Sequence, residues 1–276
     1  MTLWHALVIA ALQGVTELFP VSSLGHAVIL PALLGWHIDQ QAASFLPFLV
    51  VLHFGTATAL LVYFWRDWAG LVRALVGAGK TEWVAEERRL IWLMVVATIP
   101  AVIVGFTLEK ILRQLFGAPE IAALFLVVNG VVLFGGERLR KRVNSGGLRT
   151  LTWKGALAIG VWQCTALVPG ISRSGATILG GLLAGLHHEA AARFSFLIAT
   201  PIIFAAGVLE IPKMLQHPEL GLGALVWVSG AVAGICAYLS VAFLMRYFGN
   251  RDLDALDPFA YYCAAAGVIA FVLLQA

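Results

Sequence analysis

The sequence predicts an all-α polytopic membrane protein, with six transmembrane helices plus two re-entrant helical hairpins in an inverted-topology repeat. Three observations carry this. Hydrophobic residues make up 61% of the 276 positions and charged residues only 12%, about half the charged share of an ordinary soluble domain. Six apolar runs approach the roughly 20 residues that a helix needs to cross a bilayer. Two further apolar regions are interrupted near their middle by Pro, Gly and Ser.

The six runs cover approximately residues 45–65, 90–108, 119–135, 194–212, 222–248 and 258–275. The interrupted regions are 3–35 and 155–186. Their arms, of about 10–17 residues, are too short to cross alone. Non-helical backbone at membrane depth survives only when protein or a wet cavity covers it. Each break is therefore read as the tip of a re-entrant hairpin and as a candidate site.

Basic residues set the orientation. Arg66, Arg73, Lys80, Arg88 and Arg89 lie in one connecting segment. Arg138, Arg140, Lys141, Arg142, Arg149 and Lys154 lie in another, and Arg193, Arg246 and Arg251 flank later spans on the same face. That face is assigned to the cytoplasm. Lys110, Arg113 and Lys213 fall opposite, and Arg173 lies inside the second break. Both termini then face the periplasm. The first hairpin enters from the periplasm and the second from the cytoplasm. The chain divides into a repeat of about 1–136 and a second of about 150–276, each with one hairpin and three spans, which is the inverted-repeat pattern. The breaks echo one another: TELFPVSS (16–23) and TALVPGIS (165–172) share Thr16/Thr165, Leu18/Leu167, Pro20/Pro169 and Ser23/Ser172 without gaps. Such repeats tend to hold their site where they meet near the midplane.

Composition also excludes readings. A net charge of +3 is too weak to imply nucleic acid. Cys164, Cys236 and Cys263 are scattered and odd in number, so they suggest no disulfide framework or metal site and are read as small core residues. No Lys or Arg precedes Arg66, so no cleaved signal is expected. Trp4, Trp36, Trp65 and Trp68 flank spans as aromatic belts do. His5, His37, His187, His188 and His217 fall near predicted ends and are read as interfacial, and Glu210 as snorkelling from a span end.

The breaks hold the chemistry. Glu17 is an acid in an apolar run, so it must face a cavity or a partner. Its available roles are divalent-metal ligand, general base or structural partner of Arg173. Gln13 lies four residues earlier on the same helical face. Ser22, Ser23 and His26 follow Pro20, and an imidazole at this depth can act as nucleophile, acid or base. In the second break, Gly170 and Gly175 allow tight turns and close ligand approach. Arg173 stays charged and can grip phosphate at two points. Ser172, Ser174, Thr177 and the free N–H groups opening a helix over 176–186 would complete an anion cradle. His53 is a further residue that could line the cavity. A cation, hydroxyls, an imidazole and a carboxylate inside a membrane suit an anionic ester or anhydride with an apolar tail.

Three motifs fail on inspection. GAGKT (77–81) ends like a phosphate-binding P-loop, but Ala74 stands at the required first glycine and no strand precedes it. GISRS (170–174) misses the last glycine of a nucleophile elbow. The SRS segment is followed by His187 and His188, but neither has the closely following Asp that the acid-phosphatase type of lipid phosphatase requires.

QGVTELFPVSSLGH (13–26) together with PGISRSGAT (169–177) resembles the undecaprenyl-diphosphatase family, also called the bacitracin-resistance family. Gln13 and Glu17 answer its (Glu/Gln)-x-x-x-Glu signature, and 169–177 answers its Pro-Gly-x-Ser-Arg-Ser-x-x-Thr signature in full. FSFLIATPI (194–202) is also similar, and the likeness spans nearly the whole chain. The resemblance implies removal of the terminal phosphate of undecaprenyl diphosphate, which returns the monophosphate carrier for cell-wall polymers. It implies dependence on a divalent cation, usually Mg²⁺, and a bacterial inner-membrane protein whose site faces the periplasm. Glu17, His26 and Arg173 would be central, with Ser23, Ser172 and Thr177 in support. Leu24 replaces a Thr common in the first motif, and His53 stands where Gln is usual; either departure could shift lipid preference. Arg173 and the second loop would hold the diphosphate, with Mg²⁺ between it and Glu17. The attacking group stays open among His26, Ser23 and water. A competing class is a flippase of undecaprenyl phosphate; another is a non-catalytic lipid-binding protein. Monomer and homodimer are both compatible with the sequence.

Overall fold

The computed structural model describes residues 2–36, 38, 45–108, 118–140, 146–216, 223–251 and 253–275, and these form helices and loops with no strand. His37, His217, Lys110, Arg113, Lys141 and Arg142 lie outside the described residues, as do the side chains of Glu210 and Lys213.

The first interrupted region forms two short helices, α1 (Leu3–Thr16) and α2 (Ser23–Leu33). At about 1.5 Å per residue they are roughly 21 and 17 Å long, short of the ~30 Å hydrocarbon core. Thr2 caps α1 and Ser22 caps α2 through their hydroxyls. Then follow α3 (Phe45–Tyr63), α4 (Trp65–Leu75), α5 (Thr81–Thr107) and α6 (Pro119–Leu139). The second region gives another short pair, α7 (Trp153–Thr165) and α8 (Arg173–Leu183). The chain closes with α9 (His188–Gln216), α10 (Ala224–Gly249) and α11 (Asp257–Gln275).

Among the described residues, α5, α6, α10 and α11 are long and apolar enough to cross a membrane. The expected run at 45–65 becomes α3, which turns by 78° into α4 at Phe64. The basic segment 66–89 is thus largely helical: it contains α4 and the polar start of α5. The run at 194–212 lies inside α9, which carries Pro201 and Pro212.

Two expectations are corrected. The helix expected over 176–186 begins at Arg173, because Ser172 Oγ accepts the Gly175 N–H and caps it there. His188, expected at an interface, is buried, with Nε2 3.1 Å from both carboxylate oxygens of Glu137, which also accepts from Arg140 Nε at 2.6 Å. Arg138 closes onto Asp257, and Arg193 onto Asp67. Of the cysteines, all free, Cys263 is buried while Cys164 and Cys236 are half-buried.

Glycines let the helices meet backbone to backbone, as in membrane packing generally. A Cβ on Gly14 of α1 would lie 2.2 Å from Ala233 O of α10, and one on Gly160 of α7 would lie 2.5 Å from Ala97 O of α5. The first helix of each short pair is thus seated on a long helix from the other half of the chain, while α6 packs on α11 and α3 on both α9 and α10. The α3–α10 contact is the tightest: a Cβ on Gly55 would lie 2.0 Å from Gly230 O.

Overpacking a close contact costs typically about 1–3 kcal/mol. Gly55→Ala should therefore lower the melting temperature in detergent, whereas Gly135→Ala, whose Cβ meets nothing within 4 Å, should leave it unchanged. Equal melting temperatures for the two variants would contradict the contact.

Candidate active site

The turns between α1 and α2 and between α7 and α8 meet inside the bundle. Each contains a proline, Pro20 or Pro169, and each ends in a serine cap. The approach is close because both sides use glycine. A Cβ on Gly25 would sit 3.1 Å from Gly170 Cα, and one on Gly170 would sit 2.3 Å from Ala122 O of α6. Gly170 also has φ +100°, a left-handed conformation that suits glycine. Ser22 holds φ +68° without being glycine. Such backbone is costly and persists only where its surroundings fix it.

Polar bonds tie the turns together. Ser174 Oγ donates to Phe19 O at 2.9 Å. Asn129, buried in the middle of α6, donates to Pro20 O and accepts the Ser172 N–H, both at 3.0 Å. One side chain thus satisfies a backbone acceptor from the first turn and a backbone donor from the second.

The central contact is ionic. Arg173 Nη2 donates to Glu17 Oε1 at 2.7 Å. The other carboxylate oxygen accepts from Ser23 Oγ at 2.6 Å and from Gln13 Nε2 at 3.0 Å, with His53 Nε2 3.4 Å away. Glu17 is 8% exposed, so its charge is met by side chains rather than water. Arg173 keeps Nη1 buried with no partner among the described residues.

The site residues expected from sequence divide into two groups. Gln13, Glu17, Ser23 and Arg173 come together as one hydrogen-bonded group. His26 stands apart from it: Nδ1 is 2.7 Å from Ser22 O, and Nε2 is 2.8 Å from the hydroxyl of Tyr262, whose ring it also stacks on. A carbonyl only accepts, so Nδ1 carries hydrogen; in the neutral ring Nε2 is the basic nitrogen and Tyr262 donates to it. Ser22 and Ser172 cap helices. Ser174 is fully buried against Phe19 O. Thr177 donates to Arg173 O at 2.8 Å and pairs with Ser195 at 2.6 Å. These hydroxyls hold the second turn in shape. The Gly175 N–H, in the first turn of α8, is occupied by Ser172 Oγ.

Three participants were missed or underrated. His53 contacts the carboxylate directly. Asn129 was signalled only as a lone amide in the run 119–135. Tyr262, in α11, carries no local signal and reaches His26 only through the fold.

Comparison with known proteins shows the family of the chain. A family model described as bacitracin resistance protein BacA matches residues 6–269. The chain is 55% identical over 278 residues to an undecaprenyl-diphosphatase of Acidiphilium cryptum (strain JF-5), covering 99% of each chain. It is 54% identical to an undecaprenyl-diphosphatase of Granulibacter bethesdensis, covering 98% of this chain and 96% of the other. To undecaprenyl-diphosphatase 2 of Chromobacterium violaceum it is 48% identical, covering 96% of each. The match runs through both turns and every long helix, so the chain belongs to the bacitracin resistance protein BacA family.

Proposed function

We propose that the protein is a membrane phosphatase that hydrolyses undecaprenyl diphosphate to undecaprenyl phosphate and inorganic phosphate, recycling the lipid carrier of cell-wall synthesis. The observation that carries this is the Arg173–Glu17–Ser23 group formed where the two turns meet. A guanidinium with one nitrogen on Glu17 and another without a partner among the described residues can hold the carboxylate and still grip a phosphate.

In this mechanism Ser23 Oγ attacks the terminal phosphorus. Its proton passes to Glu17 Oε2, already 2.6 Å away, and the bond to the bridging oxygen breaks, which releases undecaprenyl phosphate. Nucleophile and base within hydrogen-bond reach, with the base oriented by a third group, is the arrangement covalent catalysis needs. Gln13 and His53 hold Glu17 in place. Water then attacks the phosphorus of the phosphoserine; His26 Nε2 takes a proton from it after releasing the Tyr262 hydroxyl, the P–Oγ bond breaks, and Glu17 returns its proton to Ser23 Oγ as inorganic phosphate leaves. Arg173 stabilises charge on the transferring phosphoryl group.

Among the described residues no three His, Cys, Asp or Glu side chains converge, so the protein alone builds no closed metal cage. Mg²⁺ is commonly held by one or two carboxylates together with substrate phosphates, and Glu17 is the carboxylate in reach. It would hold the ion with the diphosphate, and the ion would supply charge neutralisation.

The same reading places six spans and two re-entrant hairpins in the bacterial inner membrane, as inverted repeats of about residues 1–136 and 150–276, with the site open to the periplasm. Its support is the reciprocal seating of α1 on α10 and α7 on α5, together with the clustering of basic residues in segments 66–89 and 137–154 of the sequence. Reciprocal repeats are also a transporter architecture, so a flippase of undecaprenyl phosphate is the second reading. Detergent separates the two, because phosphate release needs no sealed compartment.

Purified protein in detergent should release phosphate from undecaprenyl diphosphate, and no release would defeat the proposal. Ser23→Ala and Arg173→Ala should each lower kcat by roughly 100-fold or more, the scale of losing a nucleophile or a charge-stabilising donor. A phosphoserine trapped at Ser23 supports the order of steps, whereas a phosphohistidine at His26 would replace it. Chelating divalent cations should slow release and added Mg²⁺ should restore it; an unchanged rate would remove the ion from the scheme.

A further inference from the structure

Arg173 has a second neighbourhood. Beyond Glu17 it lines a cleft of about 430 Å³ between α5, α7 and α9, together with Val102, Gly105, Phe106, Gln163, Leu167 and Ile202. Gln163 is the other polar side chain there. It is 3% exposed, and its Oε1 is buried with no partner among the described residues. Leaving a buried polar atom unpaired lowers stability, and here two such atoms, Gln163 Oε1 and Arg173 Nη1, belong to neighbours on one cleft. The far wall differs: Val102 and Phe106 are exposed and apolar. The cleft therefore joins a buried end holding a cation and an amide to an apolar mouth on the outside of α5. That polarity matches a lipid whose charged head enters first.

We infer that Gln163 binds the diphosphate beside Arg173, and that the prenyl chain leaves through the cleft between α5, α7 and α9. The amide supplies Nε2–H to a phosphate oxygen, and its oxygen accepts from a protonated phosphate oxygen or a bound water. Two hydrogen bonds from the amide fix the rotation of the head group, which a guanidinium alone leaves free. This rests on the phosphatase reading above and deepens it, assigning the head-group contact and the path of the tail.

Gln163→Met tests the contact, because Met keeps the length of the side chain and removes its polar atoms. The melting temperature should stay level or rise, since an unpaired amide is removed. At the same time kcat/KM should fall roughly 10- to 100-fold, the loss of a hydrogen bond to a charged group, and by a similar factor for undecaprenyl and farnesyl diphosphate, which share the head. Gly105→Leu, which narrows the mouth, should raise KM for undecaprenyl diphosphate more than for farnesyl diphosphate. Wild-type kcat/KM in Gln163→Met, or activity and melting temperature falling together, would make the amide structural. An equal effect of Gly105→Leu on both substrates would overturn the tail path. If the wild-type protein releases no phosphate, the phosphatase reading fails by itself. Undecaprenyl diphosphate affinity of the wild-type and Gln163→Met proteins then decides the contact, with equal affinity rejecting it.

Discussion

An ion pair inside a membrane bundle, Arg173 on Glu17, sets the terms for everything around it. Either charge alone in hydrocarbon is expensive, and a buried pair is tolerable only when its remaining lone pairs and protons are also met. Glu17 satisfies this through Ser23 and Gln13, with His53 within reach. Arg173 does not, because Nη1 has no partner among the described residues. Three donors therefore hold the carboxylate, while the guanidinium keeps one nitrogen without a partner among the described residues. An anion is what such a site lacks, and the Ser23 hydroxyl is already hydrogen-bonded on the carboxylate side.

The pair imposes a second requirement, because it joins turns that lie 156 residues apart in sequence. Broken helices expose backbone groups that lipid cannot satisfy. The chain answers from within the bundle. Phe19 O takes the Ser174 hydroxyl, Pro20 O takes the Asn129 amide, and the Ser172 N–H returns to Asn129. Ser22 and Ser172 close the starts of α2 and α8. Several residues that look like ligands for a phosphate are thus occupied in holding the turns, while Ser23, Glu17 and Arg173 bond to one another where the turns meet.

Close approach also depends on absent side chains. Gly25 meets Gly170, and Gly170 meets the backbone of α6. Gly14 and Gly160 do the same for α1 on α10 and α7 on α5. Without a hydrophobic driving force between helices in lipid, such contacts supply association through packing. The glycines and the ion pair are therefore one device: the first bring the turns within reach, and the second fixes them there.

Much of this was legible along the chain. Hydropathy located the long helices and the two breaks, because burial in lipid must be written residue by residue. Glu17, Gln13, Ser23 and Arg173 stood out because charge and amide are rare in apolar runs, and the motifs around them carried the family resemblance. Helix bounds shifted where capping overrode composition, as at Ser172, and His188 moved from the expected interface into a buried bond with Glu137. What the sequence could not fix was which polar groups meet. Asn129, Tyr262 and Gln163 are single residues in three different helices, and their roles exist only once α6, α11 and α7 are packed against the turns. A hydrogen bond has a range of about 3 Å, so partners remote in sequence are assigned by the tertiary fold alone.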